Sequence, residues 1–110
     1  ENQVFGGLHM GFGHCLMESS LYDPITGRIL NPNMIDHKLP TTLDIPHKAD
    51  NIYLSENLDT DHAFGAKSCG EGPAISPSAS IANAVHNAIG VRIFDEGLSP
   101  DKILKALGKV

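Results

Sequence analysis

Glu71 stands between two glycines in the run Phe64-Gly65-Ala66-Lys67-Ser68-Cys69-Gly70-Glu71-Gly72-Pro73, the stretch of this 110-residue chain richest in groups that can do chemistry. Backbone bounded by glycine can turn its N–H groups toward an anionic ligand, and a helix entry just downstream adds potential that favours negative charge. A carboxylate on such a loop can serve as a general base if it faces a closed pocket. From spacing alone, a solvent-facing Glu in a surface turn carries more weight than a base. Lys67 is evenly balanced between pairing with an anionic cofactor and simple solvation. Gln3 can donate to a ligand near a helix start, although a capping role is the more ordinary reading.

Two familiar motifs fail on this loop. A phosphate-binding P-loop needs Gly-Lys-Ser/Thr with a second Gly five residues upstream, whereas here the order is Gly65-Ala66-Lys67-Ser68 with Thr60 upstream. A nucleophile elbow needs a helix straight after the serine, and Glu71-Gly72-Pro73 intervenes. The six histidines do not make a metal site by spacing. His9 and His14 are five apart and miss a shared helix face, while His37, His47, His62 and His86 are scattered, so no protein metal ligand set is expected.

The elements that must position these groups are two helices and many loops. Val4, Phe5, Leu8, Phe12, Cys15 and Leu16 fit one helical face across residues 3–20. Gly6, Gly7, Gly11 and Gly13 weaken that helix by about 1 kcal/mol each relative to Ala, which implies close approach of another backbone or a ligand. The Gly7-x-x-x-Gly11 spacing is read as close packing in a soluble core. A second helix is predicted from a Ser76 cap with Pro77 at its first position, through Ile81, Ala82, Val85 and Ile89, to a stop at Gly90. Ser99-Pro100 opens a last short helix that ends near Gly108. Residues 20–31 are predicted as a hairpin around Asp23-Pro24-Ile25-Thr26-Gly27, Ile52-Tyr53-Leu54 as a short strand, and Val91–Phe94 as extended. Prolines 32, 40 and 46 forbid a long element between Asn31 and His47. The fold class expected is α+β, with two main helices, short strands and long irregular loops.

Composition narrows the functional class. Eight Lys+Arg against 13 Asp+Glu give a net charge of −5, with no basic stripe to displace counterions from nucleic acid. No apolar run approaches the roughly 20 residues of a membrane span. Two cysteines make no disulfide framework, so a reducing, cytoplasmic setting is expected. The start at Glu1, without Met or a leader pattern, reads as a cut inside a longer protein. A chain of this size buries only about 60–65% of its unfolded surface, and with six aromatic residues its helix faces call for more partner than it contains.

Three blocks together resemble a known family. Gln3-Val4-Phe5-Gly6-Gly7 with Met10-Gly11-Phe12-Gly13 is similar to its Gln-x-x-Gly-Gly helix. Asn31-Pro32-Asn33 through His37-Lys38-Leu39-Pro40-Thr41 is similar to its Asn-Pro-Asn…Tyr-Lys-Ile-Pro-Thr stretch. Phe64-Gly65-Ala66-Lys67-Ser68-Cys69-Gly70-Glu71 is the most specific block, followed by Pro77, Ile81-Ala82-Asn83, Gly90-Val91-Arg92 and Leu98-Ser99-Pro100. Residues 1–110 thus resemble the C-terminal end of the molybdenum-binding subunit of the xanthine dehydrogenase/aldehyde oxidoreductase family, the molybdenum hydroxylases.

The resemblance implies that Glu71 is the catalytic base in hydroxylation of an N-heteroaromatic or aldehyde carbon by a water-derived oxygen. It implies that Gln3 contacts the pterin of the molybdenum cofactor, and that the backbone of Lys67, Ser68, Cys69 and Gly70 runs close to the metal. The metal would be held by molybdopterin, with the cytosine dinucleotide form left open. The implied partners are the remainder of the subunit, iron–sulfur and FAD-bearing domains or subunits, and a small-molecule substrate. Three positions depart from the pattern: Gly72 where Pro is usual, which loosens the hold on Glu71, Cys69 for a small aliphatic, and His37 for Tyr. The alternative is a non-catalytic structural or interaction fragment that keeps the fold without the cofactor.

Overall fold

The computed structural model describes residues 1–46, 52–95 and 97–110, so His47 lies outside the described residues. Helix α1 spans Asn2–Phe12 and runs directly into a π-helical turn, Gly13–Met17. Helix α2 spans Glu71–Ile89 and α3 spans Pro100–Ala106. Several predicted ends hold: Gly90 adopts φ 73° and stops α2, and Ser99 precedes Pro100 at the start of α3.

The start of α2 is corrected. Pro77 is not its first residue; it lies inside the helix, six positions after Glu71. An interior proline lacks the N–H that its turn requires, at a cost of about 3 kcal/mol. Packing offsets this, because Pro77 is buried against α1. A Cβ built on Gly11 would lie 2.6 Å from Pro77 Cγ, and one on Gly7 would lie 2.6 Å from Pro73 Cβ. Both spacings are i,i+4, so two glycines on one helix receive two prolines on the other. The sequence expectation of close backbone approach at Gly7-x-x-x-Gly11 is met by this pair of helices.

The α+β expectation is also corrected. Among the described residues no strand forms, and the predicted hairpin reduces to one antiparallel bridge between Tyr22 and Ile29. The turn does form: Asp23 Oδ1 accepts from the Ile25 and Thr26 N–H groups at 2.8 and 2.9 Å. The ladder is cut off two residues later by Asn31. Its Oδ1 accepts from Leu21 N–H (2.8 Å), and its Nδ2 donates to the Ser19 carbonyl (2.6 Å), replacing what would be the next rung. Pro32 follows without an N–H to continue. Residues 52–54 and 91–94 are likewise without a paired strand, since β-propensity needs an edge to pair with.

Eight described residues are buried: Gly7, Gly11, Gly13, Cys15, Asn31, Pro40, Pro77 and Leu98. All but Asn31 belong to α1 and its π turn or to what leans on them. A Cβ on Gly13 would meet Pro40 Cδ at 2.9 Å and the Glu18 carboxylate, so the second sequence block docks on the first. The Leu98 N–H donates to the Cys15 carbonyl and brings the approach to α3 onto the π turn. Arg92 Nη1 donates to Asn83 Oδ1 at 2.8 Å and folds the exit of α2 back on itself. The chain is otherwise open. Its radius of gyration is 17.6 Å, against about 13 Å for an ordinary domain of this length.

Asn31 is 5% exposed and holds two main-chain groups. Asn31→Ala is expected to raise amide exchange at Leu21 by roughly 5- to 150-fold, matching the 1–3 kcal/mol for an orphaned buried group, with α1 unchanged. Unchanged protection at Leu21, read by hydrogen–deuterium exchange, would show that the amide is idle.

Cys15 is 5% exposed, and burial raises its thiol above the ordinary range, opposed in part by its hydrogen bond with the Leu98 backbone. Less thiolate at a given pH means slower alkylation. At pH 8, iodoacetamide should label Cys15 at least ~10-fold more slowly in the native protein than after denaturation. Equal rates by peptide mapping would place this thiol in solvent.

Candidate active site

The interlocked residues set the direction of the two helices. Gly7 meets Pro73 and Gly11 meets Pro77, so residue numbers rise together along both axes and α1 and α2 run parallel. Their N-termini therefore lie at the same end. Gln3 sits one turn before Gly7, and Cys69-Gly70-Glu71 sits within one turn before Pro73. The site residues read from sequence, Gln3, Lys67, Ser68, Cys69, Gly70 and Glu71, thus gather at one end of the helix pair, and all are exposed. Glu71 is not in a surface turn. It is the first residue of a 19-residue helix, with Gly70 as its N-cap. Two parallel helix starts side by side direct unpaired N–H groups and two positive dipole ends toward the same space.

The loop that leads in is held by unusual backbone. Phe64 has φ 60° and Gly65 φ 65°. A bulky residue in the left-handed region costs of order 1–3 kcal/mol, and such positions cluster at functional sites. The Phe64 ring is 99% exposed. A Cβ on Gly65 would meet Leu58 at 2.8 Å, and Asp59 N–H donates to the Gly65 carbonyl at 3.1 Å.

Glycines separate into two kinds here. Eight of the eleven have a reason inside the chain: a positive φ or a neighbour pressed against the missing Cβ. Gly6, Gly70 and Gly72 have neither, and a Cβ on each would meet open space. Gly70 and Gly72 flank Glu71, and Gly6 lies one turn after Gln3. Their small size leaves room for a group from outside this chain, at the end where the helix starts converge.

Gln3, Gly6 and Met10 share a stripe of α1, and Gly6 and Met10 line a groove of ≈ 610 Å³ with Phe5, His9, Ile45 and Pro46. In the turn that carries Thr42 and Ile45 to this groove, Asp44 Oδ2 accepts from Thr41 N–H (2.7 Å) and Oγ1 (2.9 Å). Those bonds hold the Asp44 carboxyl below the usual range.

His37 belongs elsewhere. Its Nδ1 lies 3.3 Å from the Ser19 carbonyl and its Nε2 3.9 Å from Glu18 Oε2. That is the far end of the α1–π helix, about 20 Å from Gln3 at 1.5 Å per residue. His37 therefore serves the packing of the second block and not the surroundings of Glu71. His62 pairs with Asp59 at 3.0 Å. Among the described residues no group of three or more His, Cys, Asp or Glu is placed to hold a metal ion. Sequence reasoning missed Pro73 as part of the helix pair, although Pro73-x-x-x-Pro77 repeats the spacing of Gly7-x-x-x-Gly11.

A family model described as a molybdopterin cofactor-binding domain matches residues 1–46. The chain is 40% identical over 103 residues to a xanthine dehydrogenase molybdenum-binding subunit of Escherichia coli O157:H7, covering 94% of this chain and 13% of that protein. It is 38% identical over 109 residues to an aldehyde oxidoreductase molybdenum-binding subunit of Escherichia coli K12, covering 99% of this chain and 15% of that protein. The crystal structure of quinoline 2-oxidoreductase from Pseudomonas putida 86 superposes with a TM-score of 0.83 at 28% identity, over 98% of this chain and 14% of that one. The chain thus spans about a seventh of the length of these relatives. No helix among the described residues is long and apolar enough to cross a membrane.

Proposed function

The chain belongs to the xanthine dehydrogenase/aldehyde oxidoreductase family as a segment of its molybdenum-binding subunit, and from that premise we propose that it supplies the catalytic base, Glu71, and one wall of the cofactor cradle of a hydroxylase. The observation that carries this reading is the meeting of two parallel helix starts beside Glu71, with glycines on both sides that nothing in the chain fills.

The residues present suit a metal held by a pterin. They offer main-chain donors and open glycine surface to an anionic cofactor, with the Glu71 carboxylate beside it. When bound, the molybdenum cofactor supplies the two-electron oxidation and the water-derived oxygen. Gln3 offers its side-chain amide, as donor and acceptor, to the pterin edge. The backbone of Lys67, Ser68, Cys69 and Gly70 would run along the cofactor, and the small Gly70 would permit that approach. Glu71 would take up the proton that the water-derived oxygen gives up, and would hold it at a carboxylate oxygen until solvent or product removes it. The substrate is an N-heteroaromatic or an aldehyde.

Everything else in the reaction comes from outside the chain: the remaining cofactor contacts and substrate pocket from the rest of the subunit, and electron removal from iron–sulfur and FAD centres on partner domains or subunits. The exposed Gln3–Glu71 end and the apolar groove beside it are the surfaces those portions would close. The setting is cytoplasmic, in keeping with two free thiols.

In the assembled, cofactor-loaded enzyme, Glu71→Gln is expected to lower kcat by about 10²–10⁴, the usual contribution of a general base, with molybdenum and pterin content unchanged. A loss below ~10-fold would remove Glu71 from this role. An assembly that purifies with neither molybdenum nor pterin would favour the non-catalytic alternative.

A further inference from the structure

We propose that Pro73, seated on Gly7, is the positioning residue that sets where Glu71 points, a role that rests on reading Glu71 as the base. A Cβ at position 72 would touch nothing within 4 Å. Residue 72 therefore places no restraint on the first turn of α2. The first restraint lies at the next residue. Pro73 carries a fixed φ in the first turn, where its missing N–H costs nothing. Its Cβ lies where a Gly7 methyl would be 2.6 Å away, with Pro73 C and Ala74 N at 3.0 Å. The main chain of α2 thus rests directly on the main chain of α1. Pro77 on Gly11 repeats the contact one turn later, where a Cβ would meet Pro77 Cγ at 2.6 Å and Cβ at 2.7 Å.

Two contacts one turn apart fix both the slide and the rotation of α2 against α1. Glu71 is only two residues, about 3 Å of helix, from the first contact and about 9 Å from the second. A push at Gly7 therefore enters α2 two residues from Glu71, whereas a push at Gly11 meets Pro77 first, at 2.6 Å, and the Ala74 carbonyl only at 3.0 Å. Misplacement of a reacting group by about 1 Å can cost of order 10²-fold in rate.

The test compares Gly7→Ala, Pro73→Ala, Gly11→Ala and Glu71→Gln in the full assembled enzyme. The readouts are molybdenum content, thermal midpoint, amide exchange over 71–76, and kcat and KM with an aldehyde or N-heteroaromatic that the unaltered enzyme oxidises. Gly7→Ala should lower kcat by at least ~30-fold with KM within about threefold, and should raise exchange at 71–76. Gly11→Ala should lower the thermal midpoint comparably and leave kcat within about fivefold. Pro73→Ala removes the ring without adding bulk. It should give a smaller kcat loss with molybdenum retained, and this is the deciding variant if Gly7→Ala fails to assemble. If Glu71→Gln abolishes turnover but Gly7→Ala and Pro73→Ala lower kcat no more than Gly11→Ala does, the positioning role is overturned. If Glu71→Gln itself costs less than ~10-fold, the base reading fails, whatever the exchange data show at the Gly7 contact.

Discussion

Absence of side chains at Gly7 and Gly11 is the constraint on which the rest of this structure depends. It lets Pro73 and Pro77 press into α1 so closely that no Cβ could stand between them. Everything else follows from that seam. It fixes the helices as parallel, so both N-termini fall at one end. It makes an interior proline tolerable in α2. It also gives Cys15, Pro40 and Leu98 a surface to lean on, through the π turn that prolongs α1. A pair of helices packed through larger side chains would sit farther apart, with their first turns too distant to share one ligand-sized space.

How far this could be read from the sequence differs from element to element. The stops and starts marked by local chemistry are legible: Gly90 in the left-handed region, Ser99-Pro100 opening α3, and the Asp23-to-Gly27 turn. The features decided by remote contacts are not. Pro77 carries the local mark of a helix start, yet its burial against Gly11 keeps it in the interior. Tyr22 and Ile29 carry strand propensity, yet Asn31 ends their pairing after one bridge by taking the next main-chain groups with its own amide. The α+β reading failed for this reason: β-propensity records fitness for a partner edge, and no such edge forms among the described residues. Glu71 stood out by its glycine neighbours and by family resemblance. Its place as the first residue of α2 could not be read, because that depends on where Pro73 sits.

The glycines show how one residue type carries separate messages. Some answer a demand of backbone angle, some a neighbour within this chain, and three answer neither. Sorting them by cause leaves Gly6, Gly70 and Gly72: two flank Glu71, and the third lies one turn after Gln3. The glycines that make Glu71 stand out in the sequence are thus the ones that nothing in this chain fills.

Order in this chain runs along a single line, the α1–π helix and what touches it, while Tyr53, Leu54, Leu58 and Phe64 stand open in a stretch with no regular element beyond one short turn. Extended, accessible apolar backbone is what proteases and holdase chaperones bind. In the chain by itself nothing in the fold shields that stretch, so cleavage is expected to start there.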